Sequence, residues 1–232
     1  MTAERVVLVH SGVADSRMWD RQAALLRERG YEVVAPDLPG FGSEPEPRHP
    51  FSFVERIACL LPAVLVGASF GGRIALETAL TQPDGVRRLV LVDSSLRDHD
   101  WSTELLDYWR REDELVAQGE LDAATELTLE TFLKPVARDV VRPMQRNAYE
   151  LQADATQEPT WPALPPLAEL RPPTLVLVGE DDLRDFREIA ERIAREAPHA
   201  RLEVVPGARH LPSLESPDVF DRLLLEFLSA RA

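Results

Sequence analysis

The chain has 232 residues, with 40 Asp and Glu against 26 Lys and Arg, for a formal net charge of −14. That balance excludes the basic footprint a nucleic-acid binder needs and disfavours docking on an anionic membrane surface. Hydrophobic residues make up 44%, enough for a real core, while a single cysteine, Cys59, allows neither an internal disulfide nor a thiolate zinc site of its own.

In chain order, short β-branched and apolar runs at 5–9, 32–35, 63–66, 88–92 and 174–178, with a weaker one at 202–205, read as strands. Their near-continuous apolar character fits strands buried on both faces, as in a parallel sheet. Helical periodicity lies between them: 18–29 through Trp19, Ala23 and Leu26; 70–81 through Ile74, Ala75, Thr78 and Ala79; 185–196 through Phe186, Ile189, Ala190 and Ile193; and 219–228 through Phe220, Leu223, Leu224 and Phe227. Alternating strands and helices predict an α/β fold built on a doubly wound, mostly parallel sheet. The alternation breaks over 97–165, where two amphipathic helices are expected, the first through Leu105, Tyr108 and Trp109 and the second through Leu121, Ala124 and Phe132. A proline-rich connector follows them. This segment carries 15 acidic and 7 basic residues, so most of the net charge sits on it. It reads as a helical insertion, giving a core of 1–96 and 166–232. No run approaches the roughly 20 apolar residues of a membrane span, and the apolar stretch at 6–9 is too short for a signal-peptide core. A cytoplasmic protein without a membrane partner is expected.

The strongest chemical signal is Gly67-Ala68-Ser69-Phe70-Gly71, a G-x-S-x-G placed between a predicted strand and a predicted helix. A serine there is presented at the carboxyl edge of the sheet as a nucleophile; the bland alternative is a tight turn whose serine caps the helix. A serine nucleophile needs a base held by a third group. Of five histidines, His210 alone combines a position after a strand end with a place downstream of acid candidates. His10 ends the first strand. The acid is open on spacing alone: Glu180, Asp181, Asp182 and Asp185 follow one strand, and Asp93 follows another.

The pieces Leu8-Val9-His10-Ser11-Gly12, Asp37-Leu38-Pro39-Gly40-Phe41-Gly42-Ser43, Val66-Gly67-Ala68-Ser69-Phe70-Gly71-Gly72, Leu177-Val178-Gly179-Glu180-Asp181-Asp182 and Gly207-Ala208-Arg209-His210-Leu211-Pro212-Ser213-Leu214-Glu215 occur in one order along nearly the whole chain. Together they resemble the α/β-hydrolase fold family, in its lid-bearing subgroup of small serine hydrolases. The resemblance implies a hydrolase core with a helical cap inserted after the family's sixth-strand position. It implies the aspartate three places after the glycine of the V-G-E-x-D turn, hence a triad of Ser69, Asp182 and His210. It implies an oxyanion hole from the N–H of Phe70 and a donor after the first strand, Gly12 or, if the loop is shifted by one, Val13. His10 would then be structural. The segment before the elbow is short, so the helix carrying Cys59 should be abbreviated and Cys59 buried.

The expected activity is hydrolysis through an acyl-enzyme, most simply of a small, largely apolar carboxylic ester. Carbon–carbon bond hydrolases, thioesterases, lactonases and cofactor-free haloperoxidases resemble this site equally, and non-catalytic small-molecule receptors share the scaffold. No cofactor and no metal is expected; the partner is a small-molecule substrate. A nucleotide-binding reading lacks the G-x-G-x-x-G after the first strand. Trp101, Leu105, Trp109 and Phe132 are candidate pocket walls.

Overall fold

A computed structural model describes residues 3–153 and 157–230. Six strands, β1 (Arg5–Val9), β2 (Glu32–Val34), β3 (Ala63–Ala68), β4 (Val86–Val92), β5 (Thr174–Gly179) and β6 (Ala200–Val205), form one parallel sheet in the order β2-β1-β3-β4-β5-β6. Helices α1 (Asp20–Glu28), α2 (Phe53–Ala58) and α3 (Phe70–Thr81) alternate with the first strands. Helices α4 (Thr103–Ala117), α5 (Leu121–Phe132) and α6 (Pro135–Gln152) lie between β4 and β5. Helix α7 (Arg184–Glu196) follows β5, and α8 (Pro212–Glu215) and α9 (Pro217–Ser229) close the chain.

The central strands β1, β3, β4 and β5 run largely apolar because both faces are covered, whereas the edge strands β2 and β6 are only partly buried. Val6, Leu8, Val64, Val66, Val90, Val92, Leu175 and Leu177 face a core completed by Trp19 and Leu26 near and on α1 and by Phe220, Leu224 and Phe227 on α9. The alternate residues Val7, Val9, Leu65, Leu89, Leu91, Val176 and Val178 face the opposite core with Ile57 of α2, Ile74 and Ala79 of α3, and Ile189 and Ile193 of α7. This period-2 division is the doubly wound arrangement expected from the sequence. Strand order reverses between β1 and β3, and α/β sheets place their ligands at the carboxyl ends of strands flanking such a reversal.

Three details differ from expectation. Among the described residues, 97–165 hold three helices, not two; α6 begins with Pro135 at its first position and carries Pro143 inside, two residues that obscure a helix in sequence, yet Ala137, Val141, Met144, Ala148 and Tyr149 form its buried face. Helix α2 is short, as expected, but Cys59 is exposed: it falls at the C-cap, beyond the buried Phe53, Val54 and Ile57. Leu105 is buried in the core and does not line the cavity described below. No helix among the described residues is long and apolar enough to cross a membrane.

Candidate active site

Ser69 occupies the turn between β3 and α3 with φ 51° and ψ −113°. A residue with a Cβ is seldom held there, and such strain collects at functional turns. The turn is over-determined by its surroundings. The Ser69 N–H donates to the Val92 carbonyl at 2.8 Å, and the Ser69 carbonyl accepts from the Ser95 N–H at 3.1 Å. A Cβ on Gly67 would collide with the Gly71 backbone, and one on Gly71 with the carbonyls of Val9 and His10, so the elbow requires glycine on both sides of the serine. The Ser69 side chain makes no capping bond to α3. The bland alternative, a helix-capping serine, is therefore not what this turn contains.

The Ser69 Oγ lies 2.8 Å from His210 Nε2, and His210 Nδ1 lies 2.9 Å from Asp182 Oδ2. Asp182 sits three residues past Gly179, the last residue of β5, and its Oδ1 accepts the Leu183 N–H at 2.8 Å. Because the Asp182 carboxylate can only accept, Nδ1 carries the proton and Nε2 is free to accept from the Ser69 hydroxyl. Asp182 and His210 are both buried. The rings of Phe186 and Phe132 flank the imidazole, with centroids 4.2 and 4.9 Å away.

The loop carrying His210 is fastened to the helices from the 97–165 segment. Glu215 accepts the N–H of Lys134 at 2.7 Å and that of Arg209 at 2.6 Å, while the Arg209 guanidinium donates to the carbonyls of Glu130 and Thr131. Burial raises the Glu215 carboxyl despite these bonds.

The other acidic candidates are engaged elsewhere. Glu180 accepts the Gly207 N–H at 3.0 Å, Asp181 pairs with Lys134 at 2.7 Å, and Asp185 accepts from the Ser102 N–H and Oγ and faces His99. Asp93 is fully buried behind the site. His10 is also buried. The Leu38 N–H donates to its Nε2 at 2.9 Å and its Nδ1 meets the Ser11 carbonyl at 2.8 Å, which ties the loop after β1 to the Asp37-Leu38 loop; burial lowers its pKa.

Gly12 and Phe70 stand side by side: a Cβ on Gly12 would lie 3.3 Å from the Phe70 Cβ. Among the described residues, neither N–H has a hydrogen-bond acceptor, whereas the Val13 N–H is directed to Ser11 Oγ at 3.3 Å. Two unspent amides beside a serine hydroxyl are what a developing oxyanion requires.

Gly12, Val13, Ser69, Phe70 and His210 line a cavity of about 330 Å³. Trp101, Trp109 and Phe132, foreseen in the sequence, form part of its wall. Arg73, Ser95, Tyr108, Glu112, Gln145 and Phe186 complete the polar and aromatic lining and were not foreseen, because they come from four separate helices and a loop with no shared local pattern. Burial raises the Glu112 carboxyl, which accepts hydrogen bonds from Tyr149 and Thr128. Trp161 from the connector packs against Phe70 and beneath the Arg73 guanidinium, 4.0 Å from the ring centroid.

The model of the alpha/beta hydrolase family matches residues 6–223. The chain belongs to this family. A pimeloyl-[acyl-carrier protein] methyl ester esterase of Chromobacterium violaceum is 32% identical over 98% of this chain and 95% of its own length. A 2-hydroxy-6-oxo-2,4-heptadienoate hydrolase of Pseudomonas putida is 28% identical over 97% of this chain and 89% of its own. Among solved structures, an esterase of Thermogutta terrifontis superposes with a TM-score of 0.74 at 25% identity, covering 98% of this chain and 90% of that one. This alpha/beta hydrolase is accordingly an enzyme of hydrolytic type.

Proposed function

We propose that the protein is a serine carboxylesterase in which Ser69 is the nucleophile, His210 the general base and acid, and Asp182 the residue that orients the imidazole. The observation that carries this reading is the unbroken row Ser69 Oγ, His210 Nε2 and Nδ1, Asp182 Oδ2, with neighbouring separations of 2.8 and 2.9 Å. His210 takes the Ser69 proton as Oγ attacks the ester carbonyl, and the N–H groups of Gly12 and Phe70 receive the oxyanion. The protonated imidazole then gives its proton to the departing alkoxide. An acyl group remains on Ser69, and water activated by the same histidine removes it.

The 97–165 segment is assigned as the cap of a core formed by 1–96 and 166–232. It supplies Trp101, Tyr108, Trp109, Glu112, Phe132 and Gln145 to the cavity. A space of about 330 Å³ with this aromatic wall suits a small, largely apolar acyl or alcohol group. Cleavage of a carbon–carbon bond in a diketone is the second reading, supported by the Pseudomonas putida relative. A panel of p-nitrophenyl acetate and butyrate, thioesters, lactones and vinylogous diketones tests the choice. Short esters should be turned over fastest; exclusive turnover of diketones would replace the first reading with the second, and ligand-induced stabilisation without turnover would favour a receptor.

A further outcome is expected. The net charge of 97–165 should repel anionic substrates. At low ionic strength kcat/KM for an ester bearing a second carboxylate should lie several-fold below that of its neutral methyl counterpart, roughly 3- to 10-fold, and the gap should close as salt is added. A gap unaffected by salt would contradict a field effect.

A further inference from the structure

Asp93 competed with Asp182 for the role of acid in the sequence, and the structure places it directly behind the proposed triad. It follows β4 with φ 43°, a left-handed backbone disfavoured for a residue with a Cβ. Its N–H donates to the Leu177 carbonyl at 2.9 Å, which fixes it between the ends of β4 and β5. Its side chain is fully buried. Oδ1 accepts the Gly179 N–H at 2.8 Å, but Oδ2 is buried and meets no hydrogen-bond donor among the described residues. Oxygens of Asp93 and Asp182 and a ring nitrogen of His210 lie within 4.8 Å of one another.

Two carboxylates at that separation in a dry site repel strongly, and a buried acceptor without a donor is costly. The groups facing Asp93 offer no relief: Asp182 and Glu215 are acids, and the His210 Nδ1 proton already belongs to Asp182. A single proton on Asp93 removes both penalties, since a protonated Oδ2 is a donor and its nearest anionic acceptor is Asp182.

We propose that Asp93 is a positioning residue: a neutral carboxylic acid whose Oδ2–H donates to the Asp182 carboxylate and holds it against His210. Asp182 would then accept from three sides, the Leu183 N–H, the His210 Nδ1–H and the Asp93 hydroxyl, and its orientation is fixed before substrate arrives. Burial first, then the charge of Asp182, push the Asp93 carboxyl well above its ordinary range, in keeping with this protonation. The inference rests on Asp182 being the triad acid.

The test compares Asp93→Asn and Asp93→Ala with the unmodified protein. Asparagine keeps an acceptor for Gly179 and a donor for Asp182, so kcat should stay within about threefold and KM should not move. Alanine removes the donor, and kcat should fall roughly 10- to 100-fold with KM unchanged. If the alanine variant does not fold, two readings on the asparagine variant still decide. The first is infrared: the unmodified protein at pH 7 should show a protonated-carboxyl C=O band that is absent from Asp93→Asn. The second is the Tm as a function of pH. The native protein holds a proton that the unfolded chain releases above the ordinary carboxylate range, so its stability drains away as pH rises. Asp93→Asn lacks that loss, and its Tm should exceed the unmodified value by more than about 3 °C at pH 8, with the difference vanishing near pH 4.

No protonated band, or a Tm for Asp93→Asn that is lower at pH 8, would overturn the proposal. So would a drop in Tm or activity on exhaustive chelation, which would put a cation where the proton is inferred. The infrared and Tm readings do not depend on turnover. Their failure in an active esterase defeats only the role of Asp93, while their success in a protein that Ser69→Ala leaves active defeats only the triad.

Discussion

Ser69→Ala should reduce ester turnover by roughly 10⁴- to 10⁶-fold, the range seen when a triad serine is removed from a hydrolase. The size of the loss follows from what the hydroxyl touches. Its Oγ contacts His210 Nε2 and makes no helix-capping bond. Removing it deletes the attacking atom while leaving the elbow's own supports intact: the Val92 and Ser95 backbone bonds and the close approaches at Gly67 and Gly71. The variant should therefore fold, with a Tm within about 2 °C of the unmodified protein. Initial rates on a short p-nitrophenyl ester, read beside a thermal scan, separate the two effects. A variant that folds and still turns over ester within tenfold would remove Ser69 from the mechanism.

Asp182→Asn should cost about 10⁴-fold in kcat, as replacing a triad aspartate by its amide does in serine proteases. Here the reason can be traced atom by atom. Oδ1 of Asp182 accepts the Leu183 N–H, so the carbonyl oxygen of an asparagine would stay on that side. Its NH2 would then face His210 Nδ1. The imidazole would have to shed its Nδ1 proton and carry one on Nε2, the nitrogen that faces Ser69 Oγ. A histidine in that tautomer cannot take the serine's proton. Asp93→Asn, one layer further back, changes no tautomer, and its effect on kcat should be smaller by orders of magnitude. Parallel kinetics of the two amide variants decide it: equal losses, or a larger loss at position 93, would move the acid to the end of β4.

Much of this was legible in the sequence for local reasons. G-x-S-x-G between a β-branched run and an amphipathic run encodes a turn that only glycine neighbours permit, and the structure has that turn with a left-handed Ser69. Strand positions, though not their exact ends, were visible because parallel strands covered on both faces must be apolar throughout. The choice of Asp182 over its neighbours was not local. Glu180, Asp181, Asp182 and Asp185 look alike in sequence, and only the fold of the turn after β5 separates the one that faces His210 from those that meet Gly207, Lys134 and Ser102.

The helices between β4 and β5 were the least legible part. Helix α6 was hidden by its two prolines. Cys59 was expected buried on the face of an abbreviated helix, but that six-residue helix ends at Ala58 and leaves Cys59 at its exposed C-cap. The cavity wall drew Arg73, Tyr108, Glu112, Gln145 and Phe186 from four helices, a convergence that no single-helix periodicity can announce. The charge excess of 97–165 was plain from composition, but its local pairing was not. Arg142 meets Glu126 and Asp139, and Arg146 meets Asp122 and Glu150. Such exposed pairs add little stability, and the segment keeps its net negative field.

The central claim is that hydrolysis passes through an ester bond to Ser69. Acid-quenching the enzyme within milliseconds of mixing with a slowly deacylating ester, then locating the added acyl mass by peptide mass spectrometry, tests it most directly. The mechanism predicts one acyl group per chain, on the peptide carrying Gly67-Ala68-Ser69-Phe70-Gly71, appearing before steady state and absent from Ser69→Ala. Turnover without any adduct, or an adduct on another residue, would contradict it.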